Sequence, residues 1–213
     1  MVKSRYTSQD TPSSMIIEAP FSIVKEGNHT TYKRNSHQGY MKMALGENPL
    51  RFRGLNRLDQ AAQLREAFNE GRKLKQAQDQ WCTVGKSNTE PFPEDLKWEV
   101  LAQVLRGKIR VNIHSYTSAD FDALVRLTNE FQWHPAAVHH AHEAYLSTGS
   151  LNQTYGGKPA VAMFATNARY KQEAYLGSQY APYILDQAGY EVMFKSDHPV
   201  LGKHAHDQKD GSI

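Results

Sequence analysis

The chain has one cysteine, Cys82, among 213 residues. A single thiol excludes an intramolecular disulfide framework and any paired-cysteine metal or redox motif, so it does not fix a compartment. Long apolar runs are also missing. No stretch approaches the ~20 apolar residues of a membrane span, and "MVKSRYTSQDTPSSM" lacks the apolar centre of a signal peptide, so the chain is expected to be soluble. A concentrated charge of one sign is absent as well. The 25 basic residues are spread among 22 acidic ones, net +3, and the densest basic stretch, "GRKLKQ", reads as a solvated helix face. Nucleic acid is therefore not an expected partner.

Residues 1–14 are rich in Ser, Thr and Pro and are expected to form a disordered terminus; 15–201 read as one domain and 202–213 as a polar tail. "YMKMAL" (40–45) is a short apolar run ended by Gly46 and Pro49, as expected of a buried strand. Apolar residues from Leu58 to Leu74 then recur at helical spacing, predicting a long amphipathic helix that reaches Trp81. "PFPEDLKWEVLAQVLRG" reads as a second helix stopped by Gly107.

Beyond Gly107 the pattern alternates. "KIRVNIH", "PAAVHH", "PAVAMF" and "YEVMFKSD" read as strands, separated by helices "SADFDALVRLTNEF", "EAYLSTG" and "APYILDQAG". Their spacing is that of βα units with right-handed crossovers, so the strands are expected to be parallel and buried. This predicts an α/β fold, a (β/α) barrel or a doubly wound sheet. No Gly-rich phosphate fingerprint follows any strand, which disfavours the nucleotide-binding version.

Function in either architecture gathers at the carboxyl ends of the strands. Those ends carry His114, the pair His139 and His140, Phe164, and Asp197 in "MFKSDHPVL". Two histidines and a carboxylate on one rim form a donor set suited to a hydrolytic zinc or similar ion. Only one of His139 and His140 can face the centre of the rim. His142 shares the side of His140 if the extended backbone continues.

"KMALGENPLR", "IHSYTSADFDAL", "HHAHEAY", "ARYKQEAYLGSQYAPYILDQAGYEV" and "KSDHPV" occur in an order and spacing that resemble the imidazolonepropionase-like branch of the amidohydrolase superfamily, over residues 40–201. The resemblance implies a metal-dependent (β/α) barrel. It assigns His114 to the fifth-strand ligand, His140 to the sixth-strand histidine and Asp197 to the last-strand aspartate, which would serve as ligand and proton shuttle. His140 would be a ligand or an oxyanion donor, and Glu47 a further ligand or a loop cap. His198, His142 and Glu143 would support the ligands. The implied cofactor is a divalent metal, zinc first, with manganese and iron as alternatives. The implied reaction is hydrolysis of a non-peptide C–N bond in a cyclic or small amide.

The chain departs from that pattern in two ways. Tyr116 and Thr117 stand where the family commonly shows a second histidine and an arginine. No HxH precedes "YMKMAL", and His204-Ala205-His206 lies in the polar tail. Because a full barrel takes ~250 residues, the expectation is a partial TIM-like (β/α) barrel with flanking helices, resembling the second half of the family's barrel. It would be a fragment, or a homo-oligomer or half completed by another chain. A non-catalytic half-barrel acting as a binding or assembly module is the alternative function.

Overall fold

The computed structural model describes residues 16–18, 21–26, 29–34, 39–85, 89–164 and 172–195. The expected disordered terminus, the polar tail, Asp197, His198, His204 and His206 lie outside them. One sheet has the order β1-β4-β5-β6-β7-β8, built from β1 (Ile16–Glu18), β4 (Gly39–Ala44), β5 (Ile109–Ser115), β6 (Pro135–His140), β7 (Ala160–Met163) and β8 (Val192–Phe194). The run from β4 to β8 is parallel throughout, and β1 adds antiparallel to β4. A separate antiparallel hairpin pairs β2 (Phe21–Glu26) with β3 (His29–Arg34). The α/β partial barrel expected from the sequence is therefore present as five parallel strands with flanking helices.

Register separates the two faces of the sheet, because side chains alternate along a strand. Met43, Ile113, Val138, Val161 and Val192 fall in one row, and all but Val192 are fully buried. The helices supply the rest of this core: Leu64 and Phe68 from α2 (Arg57–Val84), Leu101 and Val104 from α3 (Glu99–Leu105), Phe121 and Leu124 from α4 (Ser118–Phe131), and Leu185 from α6 (Ala181–Gln187). Phe68 stacks on Trp133 with centroids 5.0 Å apart. The opposite face carries Lys42, Asn112, Ala137 and Ala160 in one row and Ala44, His114, His139 and Ala162 in the next.

α1 (Glu47–Arg53) starts directly after β4, and α5 (Thr148–Leu151) follows β6. The long helix α2 begins with a capping box: Asn56 Oδ1 accepts from Leu58 N and Asp59 N, while Asp59 accepts from Asn56 N. The second helix starts later than expected. Pro91 and Pro93 disfavour helix in the residues before them, and Asp95 turns the chain by accepting from Lys97 N, Trp98 N and Glu99 N. Only Glu99–Leu105 is α-helical. The "EAYLSTG" segment is likewise a 3-10 turn at Ala144–Leu146 followed by α5, not one helix. No helix among the described residues is long and apolar enough to cross a membrane.

The crossing of α2 and α3 depends on Gly71. A Cβ built there would lie 2.6 Å from Leu101 Cβ and 3.3 Å from the Leu101 carbonyl carbon. Alanine is normally better than glycine within a helix by about 1 kcal/mol, but here the clash outweighs the propensity. Gly71→Ala is expected to destabilise the fold by about 1–3 kcal/mol, as overpacking does, read as a lower urea midpoint; an equal or higher midpoint would show that the helices can part without loss.

Candidate functional site

β5 ends at His114 and Ser115, and β6 ends at His139 and His140. Register pairs His114 with His139 and Ser115 with His140, so an uninterrupted strand would turn His139 toward His114. The ring that meets His114 is nevertheless that of His140, with centroids 3.9 Å apart and planes at 69°. The backbone bends at that point: His140 has φ 68° and Ala141 φ 47°. Left-handed φ is unusual for a residue with a Cβ. It brings the His140 side chain beside its neighbour on the next strand.

The same bend brings in His142, although the extended backbone does not continue. Tyr116, only 1% exposed, stacks on His140 (5.0 Å, 12°) and on His142 (5.2 Å, 15°), and it meets His114 edge-on at 4.8 Å. Phe164, the residue after β7, packs against His140 and His142 at 5.0 and 6.0 Å. The three histidines therefore lie in an aromatic setting that limits their rotation. The sequence places Phe164 at a strand end without a role, since it carries no ligand atom, and marks Tyr116 only as a departure from the family pattern; that both pack against the histidines was not foreseen.

The electrostatics are cationic. Burial pushes the His139 imidazole down to about 3, with Lys42 and Lys195 adding to the effect. His140 is also held well below the ordinary histidine range, first by burial, then by His114 and the same two lysines. A neutral imidazole is the form that can donate a lone pair to a metal. Lys195 also sits over the Phe164 ring, 4.4 Å from its centroid.

The other expected residues occupy a neighbouring network. Glu47 opens α1, and its backbone N–H donates to Glu173 Oε2 at 2.7 Å. Arg57 bridges Glu173 and the buried Asp120, donating from Nε to Asp120 Oδ1 at 3.0 Å. Asp120 also accepts from the backbone of Tyr116 and Thr117. Gln60 clamps the loop after β4: its Oε1 accepts from Gly46 N at 2.7 Å and its Nε2 donates to Gly46 O at 3.0 Å. Glu143 joins the β5 and β6 rims, its carboxylate accepting from Ser118 N and Oγ while its N–H donates to Tyr116 O. Burial and the nearby Asp120 raise the pKa of Glu173.

Thus His114, His140 and His142 are brought together, Glu47 lies with Glu173, and Glu143 braces the loop that holds Tyr116. Asp197 and His198 fall outside the described residues. Among the described residues no three His, Cys, Asp or Glu side chains form a group able to hold a metal ion. The two neighbouring imidazoles suit a divalent metal in donor type.

The chain is similar to the amidohydrolase tasK of Hapsidospora irregularis, 42% identical over 76% of this chain and 18% of tasK. It is also similar to the crystal structure of an amidohydrolase from Thermotoga maritima MSB8, with a TM-score of 0.70 and 26% identity, covering 85% of this chain and 49% of that one. The chain therefore spans less than half the length of each of these relatives. No family model matches it.

In metal-free protein the histidine shifts set the sign of a pH effect. With a folded pKa of about 3 against an ordinary 6.5, His139 takes up its proton more readily in the unfolded chain. Its contribution to stability is therefore present above pH 6.5 and is lost as pH falls toward 3. Urea midpoints are expected to fall from pH 7 to pH 5, and to fall less in His139→Gln; parallel curves would remove His139 as a cause.

Proposed function

We propose that this chain, whose named relatives support the amidohydrolase superfamily, supplies part of a metal-dependent site that hydrolyses a non-peptide C–N bond in a small or cyclic amide. The observation that carries this reading is the approach of the His114 and His140 rings to 3.9 Å at the carboxyl ends of adjacent parallel strands. Within the superfamily, the motifs around these histidines favour the imidazolonepropionase-like branch.

His114 and His140 are the assigned metal ligands. Asp197 is assigned the third donor position and the transfer of a proton to the leaving nitrogen. Zinc is the first choice, with manganese and iron as alternatives, because imidazole and carboxylate donors accept all three. A divalent ion supplies Lewis acidity toward a carbonyl and lowers the pKa of water to about 7. Tyr116 and Phe164 hold the imidazoles in place and keep the rim apolar beside them. Glu47 enters as a further donor only if it leaves Glu173. The remaining barrel strands are assigned to a complementing segment.

Zinc affinity, measured by chelator competition on the purified tag-free chain, is expected to drop more than about tenfold in His114→Ala and in His140→Ala. His134→Ala, at an exposed position bonded to the Tyr155 carbonyl, is expected to leave it unchanged. Equal affinity in all four proteins would sink the assignment. Hydrolysis of cyclic amides, assayed with zinc present, then tests the substrate class.

A further inference from the structure

The helical layer contains a groove of about 580 Å³ between α2 and α4, within the ~300–1,000 Å³ usual for small-molecule sites. Its apolar lining comes from Ala61 and Leu64 on α2, Ala123 and Leu127 on α4, and Leu45, the residue after β4. Leu58, 82% exposed, stands at its edge. The small alanines leave the space open, the exposed Leu58 gives it a greasy edge, and Leu45, Leu64 and Leu127, almost fully buried, form its floor. Leu45 belongs to the helix-covered core, so the groove lies behind the sheet face that carries the histidines.

Three arginines line it, and they are not equivalent. Arg65 is held by both carboxylate oxygens of Glu130, at 2.7 and 2.8 Å. Arg57 is held by Asp120 and Glu173. Asp122, the other acid in the lining, accepts a hydrogen bond from Ser150. Arg126 alone among the three has no carboxylate within ion-pair distance among the described residues. Arg126 and Ala119 bracket the α4 wall, about 10 Å along the helix axis.

We propose that this groove binds a free aliphatic carboxylate of medium chain length, its head on the Arg126 guanidinium and its chain along the alanine and leucine wall. Charge and shape both select that class. A planar guanidinium pairs a carboxylate through two parallel hydrogen bonds. An uncharged apolar ligand would leave this cation unused, and a wholly polar one would not match the wall. The site is independent of the hydrolytic reading.

The test is calorimetric titration of sodium decanoate, below its micelle concentration, into the full chain. One saturable site is expected, weakened about tenfold by Arg126→Ala and abolished by Ala123→Phe, which fills the groove. Decanol, with the same chain and no charge, is expected to bind wild type no better than decanoate binds Arg126→Ala. No saturable binding, equal decanoate affinity in wild type and Arg126→Ala, or decanol as tight as decanoate would each overturn the proposal. Arg126 is exposed, so its variant keeps the test standing if Ala123→Phe fails to fold. Sedimentation equilibrium adds one more outcome: a dimer dissociated by Arg126→Ala would make the groove a contact between two copies, and would also overturn it.

Discussion

Two consecutive residues with a Cβ adopt positive φ where β6 ends, and the position of the site histidines follows from that bend. Left-handed backbone costs an ordinary residue about 1–2 kcal/mol, so His140 and Ala141 together need compensation nearby. The structure provides it. Ala141 N donates to Ser115 O at 2.9 Å and Glu143 N to Tyr116 O at 3.0 Å, so the bent segment goes on bonding to the β5 side after regular pairing has stopped. Ala141 and Ala144 are completely buried, and Tyr116 fills the space between His140 and His142. Strain of this kind persists when the surroundings over-determine it, and such places tend to be sites of function.

The rim beside β4 is held by a different kind of interaction. Gln60 and Asp120 are both buried, and their polar atoms are used: Gln60 bonds the backbone of Gly46 twice, and Asp120 bonds two backbone N–H groups and Arg57. Arg57 extends the network to Glu173, which in turn meets the first N–H of α1. Glu173 follows β7 in the sequence, yet it contacts the loop after β4, three strands away in the sheet. The carboxyl ends of the strands are thus tied together by partly buried, charge-assisted hydrogen bonds that converge on the buried Asp120, whose carboxylate would be left desolvated without them.

The parallel sheet was legible because its signals are local and repeated. Apolar runs such as "AVAMF" alternate with amphipathic segments at a βα period, and "SADFDALVRLTNEF" and "PAAVHH" match α4 and β6 residue for residue. The hairpin β2–β3 was missed although Gly27-Asn28 separates its strands by two residues, a recognised hairpin spacing; the mixed polar character of "HTTYKR" hid it. Which of His139 and His140 meets His114 could not be read from alternation, since alternation fails where φ changes sign. Tyr116 was visible as a letter, but its role depends on two histidines that reach it through that bend.

The two sheet faces contribute to the fold in different ways. Met41, Met43, Val111, Ile113 and Val138 are almost fully buried beneath helices, and they supply the hydrophobic free energy that the fold needs. On the other face Lys42, Asn112 and His139 are only partly buried, and the alanines between them contribute little packing area. Changes on that face therefore alter charge and hydrogen bonding more than core volume. The aromatic group at the rim is the exception: Tyr116, His140 and His142 are almost fully buried and Tyr116 fills the space beside the bend, so removing that ring would cost packing as well as the placement of the histidines.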